Sequence, residues 1–249
     1  MGLNKCWNFK VGCVCFKCNL LFIFALKSEA MLQPGTLSFL QKLAKNNNKE
    51  WFDQHRDDYA GAKEDYEMLV TEILRGLAAT EPLFKEQKAK DCIFRIFRDV
   101  RFSKDKTPYK PNFGAFFSRG GRKFPGAGYY LHLEPGGKSF AGGGLWMPEP
   151  PILKSVRQEV DYNFAEFKKI IEDKKFKKYF SKIEGEQLVK LPQGYSPDNA
   201  AAEYLRHKSF VVTHKLDDVT ISSKGMAKKA MEVFSSMKPF IDFLNRSLD

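Results

Sequence analysis

The chain has 249 residues, of which 43% are hydrophobic, 14% aromatic and 29% charged. That balance excludes a disordered chain, and no collagen or heptad period is present. Forty-one Lys and Arg against thirty Asp and Glu leave a formal +11, which favours phosphates, nucleic acid or anionic surfaces as partners and says nothing about fold.

Residues 1–30 read differently from the rest. Four of the five cysteines, Cys6, Cys13, Cys15 and Cys18, lie there. Leu20–Leu26 is an apolar run preceded by Lys5, Lys10 and Lys17 and followed by Ser28-Glu29-Ala30. A basic start, an apolar stretch and small residues resemble a secretory signal, but Lys17 and Asn19 interrupt it. The run falls short of the roughly 20 apolar residues that span a bilayer, so no stable membrane insertion is expected. Cys13-x-Cys15-x-x-Cys18 with Cys6 could ligate a metal, yet the turn glycines and second spaced pair of a zinc module are missing. The plainer expectation is an upstream extension, with folding from Met31 to Asp249 as one domain. Export is the alternative if the segment acts as a signal. With Cys92 alone in the body, a disulfide framework is excluded there.

Beyond Met31, helical patterns come first. Thr36 is placed to cap a helix carrying Leu37, Leu40, Leu43 and Ala44, and Asn46-Asn47-Asn48 ends it and starts the next. Leu69, Val70, Ile73, Leu74 and Leu77 recur at helical spacing between Glu50 and Thr80, and Glu81-Pro82 closes the region. The middle of the chain changes period. Cys92–Arg98, Asn112–Ser118, Ala127–Glu134 and Ser139–Trp146 are short and aromatic-rich, separated by glycine-rich turns, which predicts antiparallel strands. Pro150-Pro151 opens a helix with Ile152, Val156 and Val160, and Asn163-x-x-Glu166 is a capping box ahead of Phe164, Phe167, Ile170 and Ile171. Residues 183–197 form a loop, Ser209–His214 one more strand, and Ser222–Leu248 a final helix that restarts at Pro239. The order predicts an α+β fold: a central antiparallel sheet of about five strands flanked by N-terminal and C-terminal helices.

The chemistry concentrates between Arg95 and Lys123. Nine basic residues, among them Arg95, Arg98, Arg101, Lys104, Lys106 and Lys110, face only Asp99 and Asp105, a local net of +7. Phe94, Phe97, Phe102, Tyr109, Phe113, Phe116 and Phe117 interleave with them. Such alternation suits a surface that neutralises phosphates and stacks planar groups; equally, six phenylalanines in strands are mostly packing. Arg95 and Arg98 lie in an otherwise apolar stretch, where a partly buried guanidinium needs an anionic partner, either a ligand or Asp99.

Phe94-Arg95-Ile96-Phe97-Arg98-Asp99-Val100-Arg101-Phe102-Ser103-Lys104-Asp105-Lys106-Thr107-Pro108-Tyr109-Lys110 resembles an uncharacterised family, as do Gly128-Tyr129-Tyr130-Leu131-His132-Leu133-Glu134-Pro135 and Arg206-His207-Lys208-Ser209-Phe210. The family is catalogued as domain of unknown function 2461, found in bacteria and fungi. The resemblance runs from about Leu32 to Leu248. It implies an intracellular, hence cytoplasmic, single domain and carries no activity or cofactor.

Alternation along residues 127–134 places Tyr130, His132 and Glu134 on one face. If Pro135–Lys138 is the hairpin loop, Glu134 pairs with Ser139, His132 with Ala141 and Tyr130 with Gly143. The neighbours are then small, and open floor lies beside His132. Gly142-Gly143-Gly144 weakens a strand, which fits close approach of a ligand or of a helix. One reading is a cleft floored by His132, Glu134 and Tyr130; the other is that His132 is a satisfied core residue. His132-x-Glu134 supplies two ligands for a divalent metal if Asp99, His207 or His214 adds a third, or else an acid–base pair. Neither a metal nor any other cofactor is predicted. Gly136-Gly137-Lys138-Ser139 imitates the end of a P-loop, but position 132 is His where the first glycine belongs. Gly126-x-Gly128 continues to Leu131 where a dinucleotide fingerprint needs Gly or Ala.

Three function classes follow. The first is a binding protein for an anionic, phosphate-bearing ligand, nucleic acid included, through Arg95, Arg98, Arg101, Lys104, Lys106, Lys110 and Tyr130. The second is an enzyme on an anionic or phosphorylated small molecule, with His132 and Glu134 catalytic. The third is a structural or protein-interaction domain.

Overall fold

The computed structural model describes residues 31–248; the expectations for residues 1–30 lie outside them. Helix α1 (Pro34–Lys45) starts on a proline, whose fixed φ presets the first turn. Thr36, expected as the cap, lies inside the helix and is buried, its hydroxyl donating to the Asp65 carboxylate. Phe39 takes the buried position expected of Ala44, which is exposed. Asn48 caps α2 (Lys49–Gln54), its side chain accepting from the Trp51 amide at 2.9 Å. In α3 (Arg56–Thr80) the spacing holds: Leu69, Val70, Ile73, Leu74 and Leu77 are all buried.

The predicted strand Cys92–Arg98 is absent. Ala89–Cys92 is a helical turn, α4, and the chain then doubles back, touching its neighbours only through isolated bridges, Ile93 with Ala115 and Phe97 with Tyr109. The buried side chains there are Cys92, Ile93 and Ile96, which do not alternate, so no flat strand can bury them together. Pro108 and Pro111 on the returning limb also lack the N–H a ladder needs. The sheet therefore has four strands rather than five. They are β1 (Phe113–Phe117), β2 (Gly128–Leu133), β3 (Phe140–Leu145) and β4 (Phe210–Lys215), antiparallel in sequence order.

The register differs from the expectation by one residue. His132 pairs with Phe140, Leu131 with Ala141 and Tyr130 with Gly142. The hairpin is closed by Ser139: the Glu134 amide donates to Ser139 Oγ at 2.9 Å, and that hydroxyl donates back to the Glu134 carbonyl at 2.8 Å. Asp218 accepts from the amides of Gly136 and Gly137, both at positive φ, and holds the turn. Ser139 is thus spent on the loop, and pairing begins one residue later.

One sheet face is the core. Ala115, Leu131 and Ala141 form one row and Phe117, Tyr129, Gly143 and Val212 the next. Over it lie α3 and the C-terminal helix α10 (Met226–Arg246), with Phe234 stacked on Tyr129 at 5.1 Å. A Cβ at Gly143 would sit 2.7 Å from Met237 Sδ, so this glycine lets α10 approach closely. The chain between runs through α5 (Pro150–Tyr162), α6 (Phe164–Glu172), α7 (Lys174–Lys177) and α8 (Ala202–Leu205), with α9 (Asp218–Ile221) after β4. The expected capping box does not form: Asn163 donates to Glu159, and Glu166 pairs with Arg246. Nor does the last helix restart at Pro239. It runs through, because Pro239 and Ser235, whose carbonyl loses its partner, are both exposed to water. No helix among the described residues is long and apolar enough to cross a membrane.

Candidate functional site

The other sheet face is uncovered by helices. Phe116, Tyr130, Gly142 and Thr213 form one row across it; Gly114, His132, Phe140 and Lys215 form the next. Phe94 and the stretch Phe124–Gly126 wall it on the β1 side, and Trp146–Glu149 with Glu184-Gly185 wall it on the β4 side. The enclosed cleft measures about 780 Å³, a size that suits a small ligand.

The one-residue shift changes what surrounds His132. Its ring stacks on Phe140, centroids 4.7 Å apart and 11° from parallel, so open floor does not lie beside it. The small neighbours lie instead opposite Tyr130, at Gly142, and at the pair Gly128–Gly144. Gly144 is at φ 120°, a backbone conformation that favours glycine.

Behind the floor runs a chain of polar contacts. His132 Nε2 lies 3.0 Å from Glu134 Oε2, and Lys138 donates to Glu134 Oε1 at 2.9 Å. Burial raises the Glu134 pKa, but the hydrogen bonds from His132 and Lys138 outweigh it and hold the carboxyl below its ordinary range. With Glu134 ionised, a neutral His132 carries its hydrogen on Nε2, leaving Nδ1 to accept. Tyr130 Oη and Asn112 Nδ2 each stand 3.4 Å from Nδ1. Burial pushes the Tyr130 hydroxyl up to about 12, so it is a neutral donor at physiological pH. Tyr130 and His132 reach the cleft, while Glu134 stands behind them.

The cations divide sharply. Lys110 lines the cleft, half-buried, its ammonium 5.7 Å from the Phe94 ring centroid. Burial first, and the charges of Arg95 and Arg98 next, depress its pKa. Arg122 lies over the same ring at 5.9 Å and donates to the carbonyls of Asp91 and Ile93 at 2.7 and 2.6 Å. No described carboxylate forms an ion pair with either. The other predicted cations lie outside the cleft. Arg98 pairs with Asp105 and Thr107, not with Asp99. Asp99 belongs to Arg101, at 2.7 Å, and Lys106 donates to the Val100 carbonyl at 3.0 Å. Arg95 and Lys104 are exposed.

The metal reading gains no third ligand. His207 is buried against Gln187, His214 shares a row with Ala141 on the core face, and Asp99 is tied to Arg101. Among the described residues no three of His, Cys, Asp and Glu converge. Cys92 is buried, and burial pushes its thiol up to about 11, an inert core residue.

Trp146, Met147 and Glu184 line the cleft and were not among the ligand contacts expected from the sequence. Trp146 and Met147 are 67% and 72% exposed at the rim, and Met147 holds φ 42°, the one described non-glycine residue at positive φ. Such strain concentrates at ligand-binding positions. Its amide donates to Ser209 Oγ at 2.9 Å, a contact 62 residues away that no local pattern reveals.

A family model described as Conserved hypothetical protein (DUF2461) matches residues 35–243, a span that takes in every wall of the cleft. No curated protein and no solved structure matches the chain.

Proposed function

We propose that this chain, which belongs to the DUF2461 family of conserved hypothetical proteins, binds a small anionic ligand with a flat apolar body in the open-face cleft. The observation that carries this reading is Lys110. A half-buried ammonium whose only close partner among the described residues is an aromatic ring costs the fold stability, and a bound phosphate or carboxylate offsets that cost. Arg122 adds a second, forked donor beside it. Phe94, Phe116, Tyr130 and Trp146 offer faces for a planar group.

Nucleic acid is the less favoured ligand. Its interface was expected on the basic stretch 95–123, where Arg98 and Arg101 are already neutralised by Asp105 and Asp99. A nucleic-acid site needs many free cations along a track, whereas the cleft offers two at one end. The test is calorimetric titration of the protein with phenylphosphonate, beside Lys110→Met. Binding that falls about tenfold or more in the variant fits the reading. Equal binding by both proteins rejects it.

The Tyr130–His132–Glu134 chain favours a second reading, acid–base catalysis on the bound anion. An imidazole with one ring nitrogen held by a carboxylate and the other beside the Tyr130 hydroxyl is oriented for proton transfer. Once a turned-over substrate is found, His132→Ala should abolish turnover with ligand affinity retained. Turnover by a folded variant removes this reading.

A further inference from the structure

The cleft is charged at both ends with opposite sign. On the β1 side stand Lys110 and Arg122; on the β4 side stand Glu184 and Glu149. Glu184 Oε1 accepts from the Thr213 hydroxyl at 2.9 Å, and among the described residues neither glutamate has a cationic partner. In a chain of net +11, a half-buried carboxylate left without a cation is the less expected event, since lysines are abundant on every surface.

Both walls are fixed to the sheet rather than hung over it. The Phe94 amide donates to the Gly114 carbonyl at 2.9 Å, which ties the cationic wall to β1. The Glu184 amide donates to the Val211 carbonyl at 2.7 Å, which ties the acidic wall to β4. Gly185 makes that attachment possible: a Cβ there would lie 2.8 Å from the Ser209 carbonyl. The Phe94 limb lies outside β1 and Glu184 outside β4, so the charged ends stand at opposite edges of an aromatic and glycine floor four strands wide. A ligand carrying only an anion leaves Glu184 unmatched.

We infer that the ligand is dipolar: a flat molecule with a phosphate or carboxylate at one end and a protonated amine at the other. Lys110 and Arg122 take the anion, the aromatic floor takes the body, and Glu184 takes the amine. This rests on the anion-binding reading above and adds the ligand's second end. The ionised carboxylate, which already accepts from one hydroxyl, keeps Oε2 for a second donor. A neutral hydroxyl at that position forms a weaker, uncharged hydrogen bond, so the amine carries the selectivity.

The test titrates the full chain with three probes: biphenyl-4-phosphonate and its 4′-hydroxymethyl and 4′-aminomethyl derivatives. The expected result is that the amine binds about tenfold or more tightly than the hydroxymethyl compound. Glu184→Gln, which keeps an acceptor for Thr213, should equalise the two while leaving the parent phosphonate unchanged. Equal binding of all three probes by the unaltered protein overturns the dipolar assignment and leaves the anion-binding reading standing. An amine preference that survives Glu184→Gln overturns the role of Glu184. If no probe binds at millimolar concentration, the anion-binding reading fails and the dipolar assignment falls with it.

Discussion

The hydroxyl of Tyr130 occupies the space that a side chain at position 114 would need. A Cβ on Gly114 would stand 2.5 Å from Tyr130 Oη, and the register sets Gly114 opposite His132, next to Tyr130 on the same face. The absence of a side chain on β1 is therefore what lets the Tyr130 hydroxyl reach His132 Nδ1. Sequence alternation places Tyr130 and His132 together on β2, but their contact depends on a glycine from another strand.

Gly114→Ala should move that hydroxyl away from His132 at modest cost to the fold, since the clashing atom is the tip of a side chain that can swing. Gly142→Ala meets the backbone carbonyl of Val212 on β4, which cannot swing. The expected loss is below about 1 kcal/mol for Gly114→Ala and about 1–3 kcal/mol for Gly142→Ala. Urea denaturation ranks them; an equal or reversed order contradicts the assignment.

Lys110→Met should weaken anion binding and at the same time stabilise the protein. The folded-state pKa of Lys110 lies below its unfolded value, so its charge opposes folding at neutral pH. As pH rises through the folded and then the unfolded value, the unfolded chain binds the extra proton and the penalty disappears. The gain in the variant should therefore be present at pH 7, shrink as pH approaches 10.5, the ordinary lysine value, and be gone above it. Urea midpoints at neutral and alkaline pH measure it, and a variant destabilised at pH 7 contradicts this sign.

Glu134 works in the opposite direction. Its depressed pKa stabilises the fold above its ordinary value of 4.5, and that contribution is lost as pH falls through the folded value. Glu134→Gln should be less stable at pH 7 and lose less stability between pH 5 and pH 3 than the unaltered protein. The carboxyl is partly open to water, so the difference is small. Parallel acid limbs for the two proteins count against a stabilising role for the His132–Glu134–Lys138 contacts.

The loop after Arg98 should bind DNA weakly, with a shallow slope of log affinity against log salt, because Arg98 and Arg101 are paired with Asp105 and Asp99 and leave few free cations. Asp105 holds that pairing: the backbone amide of Thr107, then Arg98, pull its carboxyl down to about 2. Asp105→Asn frees Arg98, and trypsin should then cleave at Arg101, Lys104 or Lys106 faster at neutral pH. In the unaltered protein the same loosening is expected only as pH falls toward about 2, where Asp105 becomes protonated. Unchanged cleavage in Asp105→Asn refutes this account of the loop.

Much of the fold was legible in local patterns. The α3 core positions Leu69 to Leu77, the cap at Asn48 and all four sheet strands follow from spacing and turn chemistry, which act within a few residues. The expected strand at Cys92–Arg98 failed because an aromatic-rich stretch was taken for alternation. Its aromatics Phe94 and Phe97 are exposed, while Ile93 and Ile96 are buried. Asp99, one of the two partners weighed for Arg95 and Arg98, pairs with Arg101 instead, and the chain reverses at 100–107 to present Asp105 to Arg98.

For the candidate site the division is sharper. The sequence by itself determined that Tyr130, His132 and Glu134 share a face, because side chains on a strand alternate whatever the partner does. It also determined the excess of cations near β1, a matter of composition. Only the tertiary structure decided that His132 lies against Phe140, that Lys110 and Arg122 alone among the basic residues of that stretch enter the cleft, and that Glu184 faces them. The physical reason is that each depends on a long-range register or a chain reversal. The Ser139 hydroxyl closes the β2–β3 turn one residue early, and a shift of one residue across a sheet exchanges every neighbour.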